Sequence, residues 1–119
     1  MEIDTLKFKN KIFIEGYGIN KFKISGNVYK SPILILKNKV IEKKNIKLNS
    51  LKKDFLLKII SNYKLDFLIL GIEKEITKKI QSYNRETKIE LMKTSSACRT
   101  LNILLSDNRN IGGLLFPIT

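Results

Sequence analysis

From Asp66 onward the apolar residues of this chain switch between two periods in a fixed order. Asp66-Phe67-Leu68-Ile69-Leu70-Gly71 is a short continuous apolar run ended by glycine, the pattern of a strand buried on both faces. Ile76, Ile80 and Tyr83 then recur at helical spacing within Glu73–Tyr83, and Asn84 supplies a stop signal. Thr87, Ile89 and Leu91 alternate with Lys88 and Glu90, which predicts a strand over 87–92. Helical spacing returns over Ser95–Ser106, and Ile111–Pro117 is a last apolar strand. Strand, helix, strand, helix, strand is the βαβ signature, in which crossover helices cover the faces of a parallel sheet.

The part before Asp66 adds strands of another kind. Ile12 and Ile14 alternate with Lys11, Phe13 and Glu15 until Gly16-Tyr17-Gly18, where the run is expected to break. Phe22 and Ile24 alternate with Lys21 and Lys23, and Ser25-Gly26-Asn27 is a turn signal. Pro32 suits the start of a strand, Ile33-Leu34-Ile35-Leu36 is apolar on both faces, and Lys37-Asn38-Lys39 turns the chain into a hairpin return at Val40-Ile41-Glu42. A helix follows, with Asn49-Ser50 as its expected cap and Leu51, Phe55, Leu56, Ile59, Ile60 and Tyr63 as its buried stripe. With no linker and no repeat, residues 1–119 read as one domain. The fold class is α/β: three layers, a mixed central sheet with flanking helices, and a β-rich first third.

Composition narrows the function. Apolar residues make up 43% and charged residues 29% of the chain, as in ordinary globular proteins. No apolar run approaches the roughly 20 residues that a membrane helix needs, and Met1-Glu2-Ile3-Asp4, acidic and followed by no apolar stretch, gives no expectation of a secretory signal. One cysteine and no histidine rule out a disulfide framework and the usual zinc sites. A cytoplasmic location is the expectation, and no metal and no cofactor are expected. The net charge of +12 comes from 20 Lys and only 3 Arg. Nucleic-acid surfaces favour arginine and interleaved aromatics, so these lysines read as a solvated surface and not as a nucleic-acid interface.

The charge stops abruptly. Residues 94–119 contain no lysine, and their only charged groups are Arg99, Asp107 and Arg109. Either core burial or a partner interface would explain the gap. Ala97, Leu101, Leu104 and Leu105 form the core stripe of the helix, with Cys98 beside them. Ser95, Arg99, Asn102 and Ser106 step by four, three and four along another line. Two readings fit that line: the solvent side of an amphipathic helix, or a ligand or partner surface. Arg99 stands near the positive end of the helix dipole and is expected to bind a carboxylate or a carbonyl. Thr94 or Ser95 is the expected cap. The free amides of that turn, with Gly71 at the end of the neighbouring strand, outline a strand-end crevice of the kind that binds ligands in α/β sheets. Cys98 reads as a small buried hydrophobe, because no histidine is present to activate it. Gly112-Gly113 within a strand implies close backbone approach by the helix above.

These residues also carry a family resemblance. Met92-x-Thr94-x-x-Ala97-Cys98-Arg99-Thr100-x-Asn102-x-Leu104, followed by Arg109-x-Ile111-Gly112-Gly113-Leu114-Leu115-x-Pro117, resembles the Mth938-like domain family. Ile24-x-Gly26-x-x-Tyr29-x-Ser31-x-Ile33-Leu34-Ile35 and Asp66-x-Leu68-Ile69-Leu70-Gly71 are similar to its earlier strands. The chain departs from the family at Ile72-Glu73, where Thr-Gly is common, at Lys93, where an acid is common, and at Lys43-Lys44, near which a tryptophan is common. The resemblance implies a compact α/β domain without an established enzymatic activity. One eukaryotic branch of the family is a mitochondrial assembly factor for respiratory complex I, which implies action through protein partners. The leading expectation is therefore a non-enzymatic interaction module, with no catalytic residue, aiding assembly of a membrane-associated complex. Its surface would be Ser95, Arg99, Asn102 and Ser106, with Gly71 at the crevice. The alternative is a small-molecule or anion site, enzymatic or purely binding, at the crevice near Gly71 and Ser95. Association with nucleic acid, or peripherally with an acidic membrane, through the lysines is a third reading.

Overall fold

The structure, a computed structural model, describes residues 12–73, 78–83, 88–107 and 109–118. Strands β1 (Ile14–Gly18), β2 (Lys21–Ile24) and β3 (Asn27–Tyr29) form a small antiparallel sheet in that order. Strands β4 (Ile33–Ile35) and β5 (Val40–Glu42) form a hairpin, followed by a 3-10 turn at Leu48–Ser50 and helix α1 (Lys53–Tyr63). Then come β6 (Phe67–Gly71), α2 (Lys78–Tyr83), β7 (Ile89–Met92), α3 (Thr94–Ser106) and β8 (Ile111–Leu115). The central sheet has the order β5-β4-β8-β6-β7. β6 runs parallel to both β7 and β8, whereas β4 is antiparallel to β5 and β8, so the sheet is mixed.

Strand alternation sorts the apolar residues into two cores. Leu34, Leu68, Leu70 and Leu114 point to one face and pack under Leu56, Ile59 and Ile60 of α1 and Ile80 and Tyr83 of α2. Ile33, Ile35, Ile69, Ile111 and Leu115 point to the other face. They meet Ala97, Cys98, Leu101 and Leu105 of α3, and Ile14, Phe22 and Ile24 of the small sheet. The result is three layers: α1 with α2, the central sheet, and α3 beside the small sheet. Every residue of β8 is buried, as expected for a strand paired on both sides and covered on both faces.

Two glycines on adjacent strands leave room for the side chains of helix α3 against the sheet. A Cβ on Gly71 would stand 2.9 Å from the Cβ of Ala97 and 2.7 Å from Cδ2 of Leu115. One on Gly113 would collide with Leu101, whose Cδ2 would be 3.1 Å away. Gly112 faces the opposite core, where a Cβ would stand 2.7 Å from Leu65 Cδ1. The glycine pair of β8 thus serves both faces, while the sequence reading anticipated one.

Element ends differ from the sequence expectations where a buried polar group overrode local preference. β1 does not break at Gly16-Tyr17-Gly18. It runs through them with a register shift between Ile14 and Gly16, and the turn falls at Ile19-Asn20, where Asn20 adopts φ 61°. Ser50 does not cap α1, because Leu51 is extended and buried and its carbonyl accepts the Tyr83 hydroxyl at 2.8 Å. The helix begins at Lys53 instead. Neither Thr94 nor Ser95 caps α3. Thr94 is already helical, Lys93 holds the cap position without a side-chain bond, and the Thr94 hydroxyl donates to the Phe116 carbonyl at 2.9 Å. The final strand ends at Leu115, short of Pro117. Ile76, Asn84 and Thr87 lie outside the described residues. No helix among the described residues is long and apolar enough to cross a membrane.

Gly71→Ala should lower stability by about 1–3 kcal/mol, since the Cβ of Ala97 cannot rotate away. Gly113→Ala should cost less, because the Leu101 side chain can turn. Urea denaturation of the two variants tests both the direction and the order.

Candidate functional site

The polar line expected on α3 divides in the structure. With 100° per residue, the core stripe of Ala97, Leu101 and Leu105 lies directly opposite Ile103, which is 63% exposed. Arg99, one turn earlier, and Ser106, three residues later, share that outward ridge and are exposed. Arg99 makes no ion pair or hydrogen bond with a described residue, so the expected carboxylate or carbonyl partner is not found there. The Ser106 hydroxyl donates to the Ile103 carbonyl at 2.7 Å. Ser95 is half-buried at the flank.

Asn102 is turned toward the small sheet. Its Oδ1 accepts the Ile14 N–H at 2.8 Å, and its Nδ2 donates to the Ile14 carbonyl at 2.9 Å. A side-chain amide here takes the place of a neighbouring strand, joining α3 to β1 through both backbone groups of one residue. Phe13, next to Ile14, is 54% exposed, so two large apolar side chains, Phe13 and Ile103, flank this clamp. The sequence reading did not single out Ile103; its signal was an isoleucine on the side of the helical wheel opposite the leucines.

At the carboxyl ends of the parallel strands, the place expected for a crevice near Gly71 and Ser95 is closed. Gly71 is buried beneath Ala97 and Leu115. The Phe116 N–H donates to the Gly71 carbonyl at 2.9 Å, the Ile72 N–H to the Met92 carbonyl at 3.0 Å, and Thr94 holds the Phe116 carbonyl from above. An open cleft of about 270 Å³ lies beside this seal. Phe116, Ile72, Leu48, Pro32 and Pro117 provide its apolar walls, and Asn20, Lys30 and Glu73 its polar groups. Neither Gly71 nor Ser95 lines it.

Cys98 is buried in the α3 core, as its place beside the apolar stripe anticipated. Burial pushes its thiol from 9.0 up to about 12, the Glu73 carboxylate adds to the rise, and the Arg99 guanidinium opposes it. A thiol so held is neutral at physiological pH and a poor nucleophile. The lysine-free end is accounted for largely by burial: among its described residues only Arg99, Ile103, Ser106, Asp107 and Arg109 are exposed. Conversely, every described lysine except half-buried Lys43 is exposed. Among the described residues no three histidine, cysteine, aspartate or glutamate side chains gather as a metal site would require.

Two outcomes follow from this geometry. Asn102→Ala strands the N–H and carbonyl of Ile14 and should lower stability by about 1–3 kcal/mol; chemical denaturation measures this, and Asn102→Asp, which keeps an acceptor and loses the donor, should also be less stable than the wild type. Cys98 ionises near pH 9.0 when unfolded and near pH 12 when folded, so its protonated folded form is fully favoured below pH 9. Above pH 9 the unfolded chain binds fewer protons than the folded one, so this contribution is lost as pH rises from 9 toward 12. Cys98→Ala should flatten the fall in stability over that window, as read by denaturation at pH 8 and pH 10.5.

Comparison with known proteins agrees with this architecture. The 13 kDa major membrane protein of Francisella tularensis subsp. holarctica is 25% identical over 121 residues, an overlap of 97% of this chain and 98% of that protein. The crystal structure of an outer membrane protein from Bartonella henselae matches with a TM-score of 0.68 at 18% identity, covering 93% of this chain and 98% of that one. The solution structure of an Mth938-like domain from Bordetella pertussis matches with a TM-score of 0.62 at 15% identity over 89% of this chain and 85% of its own. The two structural matches establish a shared fold. Residues 14–116 match the family model described as Protein of unknown function (DUF498/DUF598), and the chain belongs to that family, as a domain of the Mth938-like kind.

Proposed function

We propose that this chain is a non-enzymatic protein-interaction module that serves a membrane-associated assembly, and that its contact surface is the outward ridge of α3. The observation that carries this reading is Ile103, a large apolar side chain 63% exposed on a rigid helix at the point farthest from the core. Arg99 is exposed one turn away and unpaired among the described residues, and Phe13 is exposed beside the clamp that fixes the helix to β1. An apolar anchor with a neighbouring arginine is the composition of an interface centre. The clamp holds this ridge in place, so little ordering entropy would be lost on docking. A relative named as a membrane protein supports the membrane-associated part. The non-enzymatic part rests on chemistry: the sequence has no histidine to act as a base for Ser95 or Ser96, and Cys98 is a neutral thiol under the helix.

Capture from detergent-solubilised membranes tests the surface. The wild-type chain should retain a stoichiometric protein partner. Ile103→Lys and Arg99→Glu should each weaken that capture by about tenfold or more, whereas Lys58→Glu on α1 should leave it intact. Equal capture by all four proteins would remove the α3 ridge as the contact surface.

A further inference from the structure

The cleft beside the β6 and β8 strand ends has a feature that the interaction reading does not use. Its three polar side chains, Asn20, Lys30 and Glu73, make no hydrogen bond or ion pair with any described residue, nor with one another. Lys30 and Glu73 carry opposite charges on one cleft and stay apart, although Glu73 is half-buried and would gain from a partner. The wall holding Asn20 is pinned. Its N–H donates to the Ile118 carbonyl at 2.6 Å, Ile19 bridges Ile118, and Asn20 itself is held at φ 61°, a conformation few residues adopt readily. Phe116 is pinned as well, by its bonds to Gly71 and Thr94. The cleft backbone at Asn20 and at Phe116 is therefore fixed in place by the fold.

We propose that this cleft binds a small zwitterion with an apolar body, of the class of a free apolar α-amino acid. The ligand carboxylate pairs with Lys30 and accepts from the Asn20 amide. The ligand ammonium pairs with Glu73. The apolar body lies on Phe116 and Ile72 between the two prolines. A cleft of about 270 Å³ has room for a ligand of this class. A simple anion would leave Glu73 unpaired and repelled, and a simple amine would do the same to Lys30, so a ligand carrying both charges fits better than either. This proposal is independent of the α3 ridge, which lies on another part of the surface.

The test is a titration of the isotopically labelled chain followed by amide NMR shifts, with three probes that share the isobutyl body of leucine. L-leucine should shift the amides of Ile72, Glu73 and Phe116 saturably. 4-Methylpentanoate, which lacks the ammonium, and isoamylamine, which lacks the carboxylate, should each bind at least about tenfold more weakly, since each loses one charge-assisted contact. Lys30→Gln and Glu73→Gln should each weaken L-leucine binding by a similar factor while leaving the dispersion of the spectrum unchanged. Absence of saturable shifts with L-leucine, equal shifts with 4-methylpentanoate, or undiminished binding in both variants would overturn the proposal.

Discussion

The seating of α3 on the glycines of two adjacent strands is the contact from which the rest of this molecule follows. Gly71 on β6 and Gly113 on β8 remove side chains where Ala97 and Leu101 descend, so the helix axis approaches the sheet more closely than it could over larger residues. Close approach lets the short hydroxyl of Thr94 reach the Phe116 carbonyl. It also buries Cys98 far enough to hold its thiol neutral. With the helix placed, the chain beyond β8 must pass over the end of β6, where Phe116 bonds to Gly71 and closes the sheet edge.

Polar satisfaction then decides which surfaces remain free. A buried N–H or carbonyl without a partner costs on the order of 1–3 kcal/mol, and two side chains on α3 are committed to such groups. Asn102 satisfies both groups of Ile14, and Thr94 satisfies one of Phe116. What is left pointing outward on the helix is Arg99, Ile103 and Ser106. The small sheet, tied on through Asn102, covers the flank of the core that α3 alone would leave open, with Phe22 and Ile24 fully buried beneath it. The same economy leaves the side chains of Asn20, Lys30 and Glu73 unpaired around the open cleft.

Much of this architecture is legible in the residues. The alternation at Phe22 and Ile24, the doubly apolar Ile33–Leu36 run and the helical leucines of α3 each report a local burial pattern, and each element formed where its pattern stands. Element ends were less legible. Ser50 and Thr94 both look like caps by type, yet one precedes an extended residue that the core recruits and the other is drawn to a carbonyl 22 residues away. The glycines of β1 look like a break, yet they sit within a paired strand because β2 supplies the missing hydrogen bonds. For the candidate site, the line through Ser95, Arg99, Asn102 and Ser106 has the right spacing. The partner at Asn102 could not be seen, because Ile14 lies 88 residues away.

The sequence by itself determined the periods of burial, and through them the kinds of element, their order, the mixed sheet and the family. Those properties depend on residues within a few positions of one another, where backbone geometry alone sets which side chains share a face. Only the tertiary structure decided that Asn102 is a clamp, that Ile103 is the outward point of α3, that the crevice at Gly71 is sealed and that an open cleft lies beside it. Each of those depends on which distant backbone groups need a partner once the layers are packed, and no local pattern encodes that.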